Sequence, residues 1–285
     1  MSVEIYDIFL RVFGSLLGLI HFGCGLVVLF FDWFLDDFGS RYQVYDNQML
    51  WVDCKNLTNI PQYQHDIRLS AIDYCNKHIV GKDTKSMFYS NKVYFEFDFV
   101  YILGFIFLWT GIWHFIYVSP CVWNKYISEE LVDGENTRLR WIEYGPSSGL
   151  MIFLIAYFIG IEDINTLVLI SLMMCFAVVS TAWASSNTHC VVLPILINVI
   201  IMLLFWIRFG LLFEPTGAKF EDMPWFVTAI IVGEFIMFQS FPIVYYMEIK
   251  NYKSAYFREF LYYLLSATSK LFLGIILTFY VFIDV

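Results

Sequence analysis

The apolar stretch from residue 255 to 285 limits the possible folds of this chain more than any other feature. A run of about 20 apolar residues is long enough to cross a bilayer as a helix. This run nevertheless contains Lys270, eleven residues after Glu259 and fourteen before Asp284, which places the amine near the middle of a membrane. A lysine at that depth costs about 2.5–3.5 kcal/mol to insert. Such a residue therefore needs a buried partner or a chemical role.

Two interpretations of Lys270 remain open at this point. In the first, the lysine pairs with a buried carboxylate and serves packing alone. In the second, the amine is used chemically, because a buried lysine loses its proton easily and can form a Schiff base. The small residues at positions 266–269 and Gly274 favour the second interpretation, because they leave space beside the amine for a ligand.

The other apolar stretches predict an all-α, multi-pass membrane protein. Hydrophobic residues make up 59% of the chain and charged residues 15%, against about 25% charged in a typical soluble domain. The pattern predicts a single domain, residues 1–285, with seven transmembrane helices. The predicted helices cover residues 8–31, 97–118, 140–160, 164–184, 190–213, 225–247 and 259–283. Residues 32–96 form a long loop, in which residues 42–52 and 87–97 suit a short β-hairpin.

The basic residues predict how the bundle is oriented. The loops on one side carry four of them, at Lys125, Arg138, Lys250 and Lys253. The short loops on the other side carry only Lys219. Because basic loops stay in the cytoplasm, we expect the N-terminus inside and the long loop outside. The net charge of −9 argues against binding to nucleic acid.

The cysteines predict a disulfide rather than a metal site. The six cysteines show no metal-ligand spacing. Cys54 and Cys75 share the long polar loop, and they are able to pair if that loop faces an oxidising space.

Lys270 requires an opposite charge, since an unpaired cation in a low dielectric loses its proton. Glu143 lies about one turn into the third predicted helix, and Ser147 lies four residues later on the same face. We expect Glu143 to be the counterion, although a first-turn glutamate favoured by the helix dipole is the alternative. Glu234, midway along the sixth predicted helix, is a second candidate and would otherwise pair with Arg208.

Three motifs occur together in predicted helices three, six and seven. The motifs are Arg140-Trp141-Ile142-Glu143-Tyr144 with the following Ser147-Ser148 and Leu150-Met151, Phe238-Gln239-Ser240-Phe241, and Leu264-Leu265-Ser266-Ala267-Thr268-Ser269-Lys270. With seven helices and a lysine in the last, they resemble the heliorhodopsins, a family of retinal proteins. The resemblance covers essentially all seven helices. It implies a rhodopsin-like bundle with a cytoplasmic N-terminus and all-trans retinal as the cofactor.

The resemblance also implies a retinal site, in which Lys270 is the Schiff-base attachment and Glu143 the counterion. The remaining pocket residues that it implies are Tyr144, Ser147, Ser148, Met151, Phe238, Phe241 and Ser266. His21 and His114 resemble the intramembrane histidines of the polar cavity in this family. Further polar positions at membrane depth are Arg140, Glu234 and Arg208.

The function implied is that of a photoreceptor in the plasma membrane or a host cell membrane, and not that of an enzyme. The partners implied are membrane lipid, a second copy of the chain in a homodimer, and an unidentified cytoplasmic signalling protein. Active proton pumping is not expected, because Ser266 and Leu154 occupy positions where related pumps carry carboxylates. The alternatives are a light-gated passive proton channel and a non-photochemical transporter, which would bind no chromophore.

Overall fold

The computed structural model describes residues 3–34, 41–53, 85–132, 139–158, 161, 163–183, 192, 195–197, 199–201, 203–205, 207 and 225–283. Six long helices run through it: α1 Val3–Phe34, α2 Phe99–Val118, α3 Leu139–Phe158, α4 Ile164–Trp183, α6 Trp225–Ile249 and α7 Ala255–Ile283. Between α4 and α6 lies a shorter apolar helix, α5 Ile195–Phe205.

The helices form the predicted helical membrane bundle. Five of them, α1, α2, α4, α6 and α7, are long and apolar enough to cross a membrane. The 20 residues of α3 span about 30 Å, the thickness of the hydrocarbon core, although this helix carries the polar residues singled out above. With α3 and the described part of α5, these helices form a rhodopsin-like membrane bundle.

Two helices begin earlier than predicted. The first starts at Val3 rather than at residue 8, and the last starts at Ala255 rather than at residue 259. The extra turns contain charged residues such as Asp7 and Arg258. Hydropathy alone excludes such residues from a span, whereas the helical hydrogen bonding continues through them.

The predicted hairpin in the long loop is confirmed and is longer than expected. Strands β1 Arg41–Asp53 and β2 Lys85–Asp98 pair in an antiparallel two-stranded sheet. An irregularity in the register lies between residues 44 and 45. The last strand residue is followed directly by the first residue of α2. The predicted cysteine pair, Cys54 and Cys75, lies outside the described residues.

Close packing of α1 against α2 depends on glycines, as their spacing in α1 predicts. A Cβ atom added at Gly14 would lie 2.9 Å from Val118 Cγ1. One added at Gly111 would lie 2.8 Å from the backbone nitrogen of Phe22. Because these contacts leave no room for a side chain, the two helices approach at backbone distance.

The interior consists of apolar clusters that meet near the middle of α7. The largest joins residues of α2, α3, α4, α5, α6 and α7 and includes Leu273. A second joins α1, α2 and α7 to the short helical turns between residues 120 and 132, and includes Ala267. There, Trp123 is fully buried, and its indole N–H donates to Asp7 Oδ1 at 2.7 Å. Lys270 lies between Ala267 and Leu273, so it is placed where these clusters meet.

Candidate functional site

Lys270 lies on the buried face of α7 and is held by two partners. Its side chain is only 4% exposed. The Nζ atom lies 2.5 Å from Glu143 Oε1, and it donates to Ser266 Oγ at 2.9 Å. The serine is one helical turn earlier, so both residues are on one face of α7. The structure therefore pairs the membrane-depth lysine with a carboxylate of α3.

Glu143 is fully buried and, besides the lysine of α7, receives hydrogen bonds from α2 and α3. Its Oε1 accepts from Thr110 Oγ1 of α2 at 3.0 Å and from Ser147 Oγ of α3 at 3.4 Å. Its main-chain carbonyl accepts from the indole N–H of Trp109 at 3.2 Å. The first turn of α3 contains no acidic residue, so the helix-dipole explanation for Glu143 does not apply.

A cavity opens beside the lysine. Its lining consists of Trp141, Tyr144, Ser147, Ser148, Met151, Val178, Phe238, Phe241, Ser266, Ser269 and Lys270. Eight of the nine residues predicted for the pocket line this cavity, and the ninth, Glu143, contacts the lysine. Ligand pockets are commonly mostly apolar with a few polar groups. An amine at the edge of aromatic walls fits retinal, an apolar aldehyde.

Some contributors to the site carry no sequence signal that separates them from core residues. Thr110 and Trp109 contact Glu143, yet a threonine and a tryptophan in an apolar helix resemble ordinary packing residues. Val178 of α4 is indistinguishable in sequence from its apolar neighbours. Trp141 and Ser269 also line the cavity, and they belong to the motifs quoted in the sequence analysis. Their place in those motifs is the sequence signal that could have identified them.

The expected space beside the lysine is present, and only some of the small residues border it. Ser266 and Ser269 line the cavity. Thr268 is exposed on another face of α7. Gly274 lies one turn beyond Lys270 on the same face, but the ring of Phe107 fills the place beside it.

The two predicted histidines are brought together between α1 and α2. Both are buried, and their ring centroids lie 5.4 Å apart. His21 Nδ1 donates to the Leu17 carbonyl at 2.8 Å. Within the described parts of the chain, its Nε2 and both ring nitrogens of His114 have no hydrogen-bond partner. Polar atoms of this kind favour small polar ligands such as water.

Arg140 belongs to a separate cluster, at the end of the bundle where α3 and α7 begin. One terminal nitrogen of the guanidinium lies 2.6 Å from Glu259 Oε2, and the other lies 3.5 Å from Glu248 Oε1. The hydroxyl of Tyr262 donates to Glu248 Oε2 at 2.8 Å, and the guanidinium lies 4.1 Å from the centroid of that ring. The cluster thus ties α3, α6 and α7 together.

Glu234 occupies a third place, on α6. It is 1% exposed, and neither carboxylate oxygen has a partner among the described residues. Its predicted partner Arg208 lies outside those residues. The polar positions predicted for one cavity are therefore distributed over separate places. The described residues include no group of three or more metal-ligating side chains that would hold a metal ion.

The last long helix of this membrane bundle carries a buried lysine that is paired with a carboxylate and lies beside an aromatic cavity. This is the architecture of a retinal protein. The sequence profile of the heliorhodopsin family matches residues 63–283. The chain belongs to the heliorhodopsin family, whose members are light-sensing retinal proteins of the membrane rather than enzymes. A comparison with curated proteins gives no match.

Proposed function

We propose that Lys270 binds all-trans retinal as a protonated Schiff base, that Glu143 is the counterion, and that the protein is a light sensor with a slow photocycle. The observation that carries this proposal is the pair of Lys270 Nζ and Glu143 Oε1 at the edge of the aromatic cavity. A pair that served packing alone would not need a cavity beside the amine, because an unfilled cavity weakens packing.

The residues of the pocket have separate tasks in this proposal. Bound retinal supplies visible-light absorption and a change of shape on illumination. Glu143 holds a positive charge at the lysine nitrogen, and Thr110 holds the carboxylate from the side of α2. Ser266 accepts a hydrogen bond from the same nitrogen. The walls contributed by Phe238 and Phe241 exclude water from the apolar part of the ligand.

The surroundings of the lysine support sensing rather than active pumping. A pump needs a proton acceptor on one side of the nitrogen and a donor on the other. Ser266 occupies the position one turn before the lysine, where related pumps carry a carboxylate. Leu154, three turns after Glu143, is buried in the largest apolar cluster. A proton that leaves the nitrogen therefore has Glu143 as its nearby acceptor and returns along the same path.

Reconstitution with retinal tests the proposal. Purified apoprotein mixed with all-trans retinal should develop a visible absorption band that hydroxylamine removes. Lys270→Ala should give no such band, because the attachment amine is missing. Lys253→Ala, which removes an exposed lysine of the α6–α7 turn, is the matched control and should keep the band. A band retained by Lys270→Ala would exclude this attachment.

A passive, light-gated proton channel is the second candidate, and Glu234 is the observation that favours it. A carboxyl group buried at membrane depth with no described partner is costly, and such groups often mark ion or proton pathways. In cells under voltage clamp, a channel should give a light-induced current that reverses with voltage. Glu234→Gln should reduce that current, whereas Glu129→Gln, at an exposed position, should not. A sensor would give no current at any voltage.

The assembly of the protein is also part of the proposal. Lys125, Lys250 and Lys253 are exposed at the face where α1 begins, which supports a cytoplasmic N-terminus by the positive-inside rule. We further propose a single seven-helix domain, a homodimer, and an unidentified cytoplasmic signalling partner. These proposals rest on the family and on the charge pattern.

A further inference from the structure

The turn of α3 that carries Glu143 lacks one of its usual helical hydrogen bonds. Pro146 has no N–H, so the carbonyl of Ile142 loses its usual helical partner four residues later. The hydroxyl of Ser147 donates back to the Glu143 carbonyl at 3.0 Å, and that of Ser148 donates to the Tyr144 carbonyl at 2.6 Å. Such back-bonding tends to bend helices. The position of Glu143 therefore depends on contacts from outside α3.

The outside contacts come from the helices on either side. Toward α4, a Cβ atom added at Gly149 would lie 2.9 Å from the Ser171 carbonyl oxygen, so the backbones touch there. Toward α2, Trp109 donates to the main-chain carbonyl of Glu143, and the next residue, Thr110, donates to its carboxylate. Two consecutive residues of α2 thus hold both ends of the same glutamate.

The indole of Trp109 is itself fixed by aromatic neighbours. Its ring stacks on Phe105 with centroids 6.0 Å apart and an interplanar angle of 19°. It also meets Trp113 edge to face at 5.7 Å and 66°. Neighbouring rings contact the indole on two sides and limit its movement. Because a hydrogen bond tolerates little change in length or angle, the indole N–H in turn limits the movement of the Glu143 carbonyl.

We propose that Trp109 is a positioning residue, whose hydrogen bond to the Glu143 carbonyl sets where the carboxylate meets the Lys270 nitrogen. This inference rests on the proposed role of Glu143 as the counterion. The carboxylate belongs to α3 and the amine to α7, and in this inference a residue of α2 sets the distance between them. Trp109 acts through Glu143 and is not among the residues that line the cavity.

The first test is a double-mutant cycle on the absorption band of the retinal-loaded protein. Trp109→Phe keeps an aromatic ring and removes the donor, so its band should move part of the way towards that of Glu143→Gln. The double variant Trp109→Phe/Glu143→Gln should absorb where Glu143→Gln does, because a residue that acts through Glu143 has no effect without it. Trp123→Phe, which removes the indole donor to Asp7 instead, is the matched control, and its band should stay at the wild-type position.

The second test needs no retinal. Infrared spectra of apoprotein labelled with ¹³C-glutamate contain a Glu143 band, identified by its loss in Glu143→Gln. That band should shift in Trp109→Phe and stay in place in Trp123→Phe. In the wild-type apoprotein labelled with ¹⁵N-tryptophan, the indole N–H of Trp109 should exchange with deuterium more slowly than that of Trp113, because it is hydrogen-bonded.

The outcomes separate this inference from the proposed function. A wild-type protein that forms no visible band contradicts the retinal proposal, and the infrared and exchange experiments still decide the role of Trp109. A band shift in Trp109→Phe that persists in the Glu143→Gln background, or an unshifted Glu143 infrared band, overturns the inference. If Trp109→Phe does not fold, equal exchange rates for the two indoles in the wild type overturn it.

Discussion

Two buried carboxylates are candidates for the counterion, and their neighbours differ completely. Glu143 contacts the Lys270 nitrogen and accepts from Thr110, whereas Glu234 has no described partner. Removing an opposite charge next to a buried cation favours the neutral form. Loss of the true counterion should therefore release the proton of the chromophore at lower pH.

The first prediction follows from this difference. In Glu143→Gln, the visible band should shift to longer wavelength, or the pH at which half of it is lost should fall by about one to three units. Glu234→Gln, which removes a buried carboxylate of the same type, should leave both values near those of the wild type. Absorption spectra recorded across a pH titration measure both. An unchanged Glu143→Gln together with a shifted Glu234→Gln would transfer the role to Glu234.

Sequence reasoning pointed to the charged residues of the site and to Ser147 and Ser266, and it missed the supporting residues of α2. Lys270 and Glu143 stand out because charge in an apolar run is costly and needs an explanation. Thr110 and Trp109 do not, since neither residue type is unusual in a membrane helix. Their role depends on which residue of α3 they face, and the relative rotation of two packed helices is not encoded in the spacing within either one.

At the scale of the helices, the Arg140 cluster predicts a large effect on stability. The guanidinium contacts Glu248 and Glu259, and all three side chains are almost fully buried. Arg140→Met should lower the free energy of unfolding by about 3–5 kcal/mol, because it leaves buried carboxylates without this cation. Equilibrium unfolding of the apoprotein in detergent measures the change, and Lys125→Met, at an exposed site, is the control.

A compensated variant checks the cause of that loss. Arg140→Met combined with Glu248→Gln and Glu259→Gln removes the two carboxylates that lost Arg140, so it should recover a substantial part of the lost stability. If the triple variant is no more stable than Arg140→Met, the side chain contributes by packing and not by charge. The cluster was not predicted, because Glu248 and Glu259 stand at the ends of apolar runs and resemble ordinary interfacial residues.

The glycines of α1 and α2 provide a matched pair of substitutions. A Cβ atom at Gly111 would meet the backbone of Phe22, so Gly111→Ala should push α1 from α2 and cost about 1–3 kcal/mol of stability. A Cβ atom at Gly23 would meet nothing within 4 Å, so Gly23→Ala should stabilise its helix by roughly 0.5–1 kcal/mol. Thermal unfolding of both apoproteins compares them. Equal effects would contradict close packing of α1 on α2.

At the scale of the whole molecule, the polar groups lie in separate places with apolar clusters around them. The lysine pair lies near the middle of α7, the arginine cluster at one end of the bundle, and Glu234 on α6 within the apolar interior. Directed transport needs donor and acceptor groups on both sides of the nitrogen. The arrangement therefore supports a change of shape on illumination more than vectorial proton movement.

This distribution predicts the result of a current measurement at zero voltage and equal pH on both sides. Illumination should produce no sustained current, in the wild type as in Lys270→Ala. Sustained directional current that depends on Lys270 would contradict the absence of pumping. The sequence singles out Lys270, Glu143, Arg140 and Glu234 as polar residues at membrane depth, whereas their separation depends on how helices far apart in sequence are packed.

The separation of Glu143 and Lys270 along the chain also sets the order in which the site is assembled during synthesis. The two residues are 127 positions apart, and at about 5–20 residues per second the lysine is added roughly 6–25 s after the glutamate. During that interval Glu143 already has Thr110, made before it, and Ser147, made just after it, as hydrogen-bond donors. The first three helices can therefore hold the carboxylate in the membrane until the last helix arrives. The amine of Lys270 then enters a site whose carboxylate is already hydrogen-bonded.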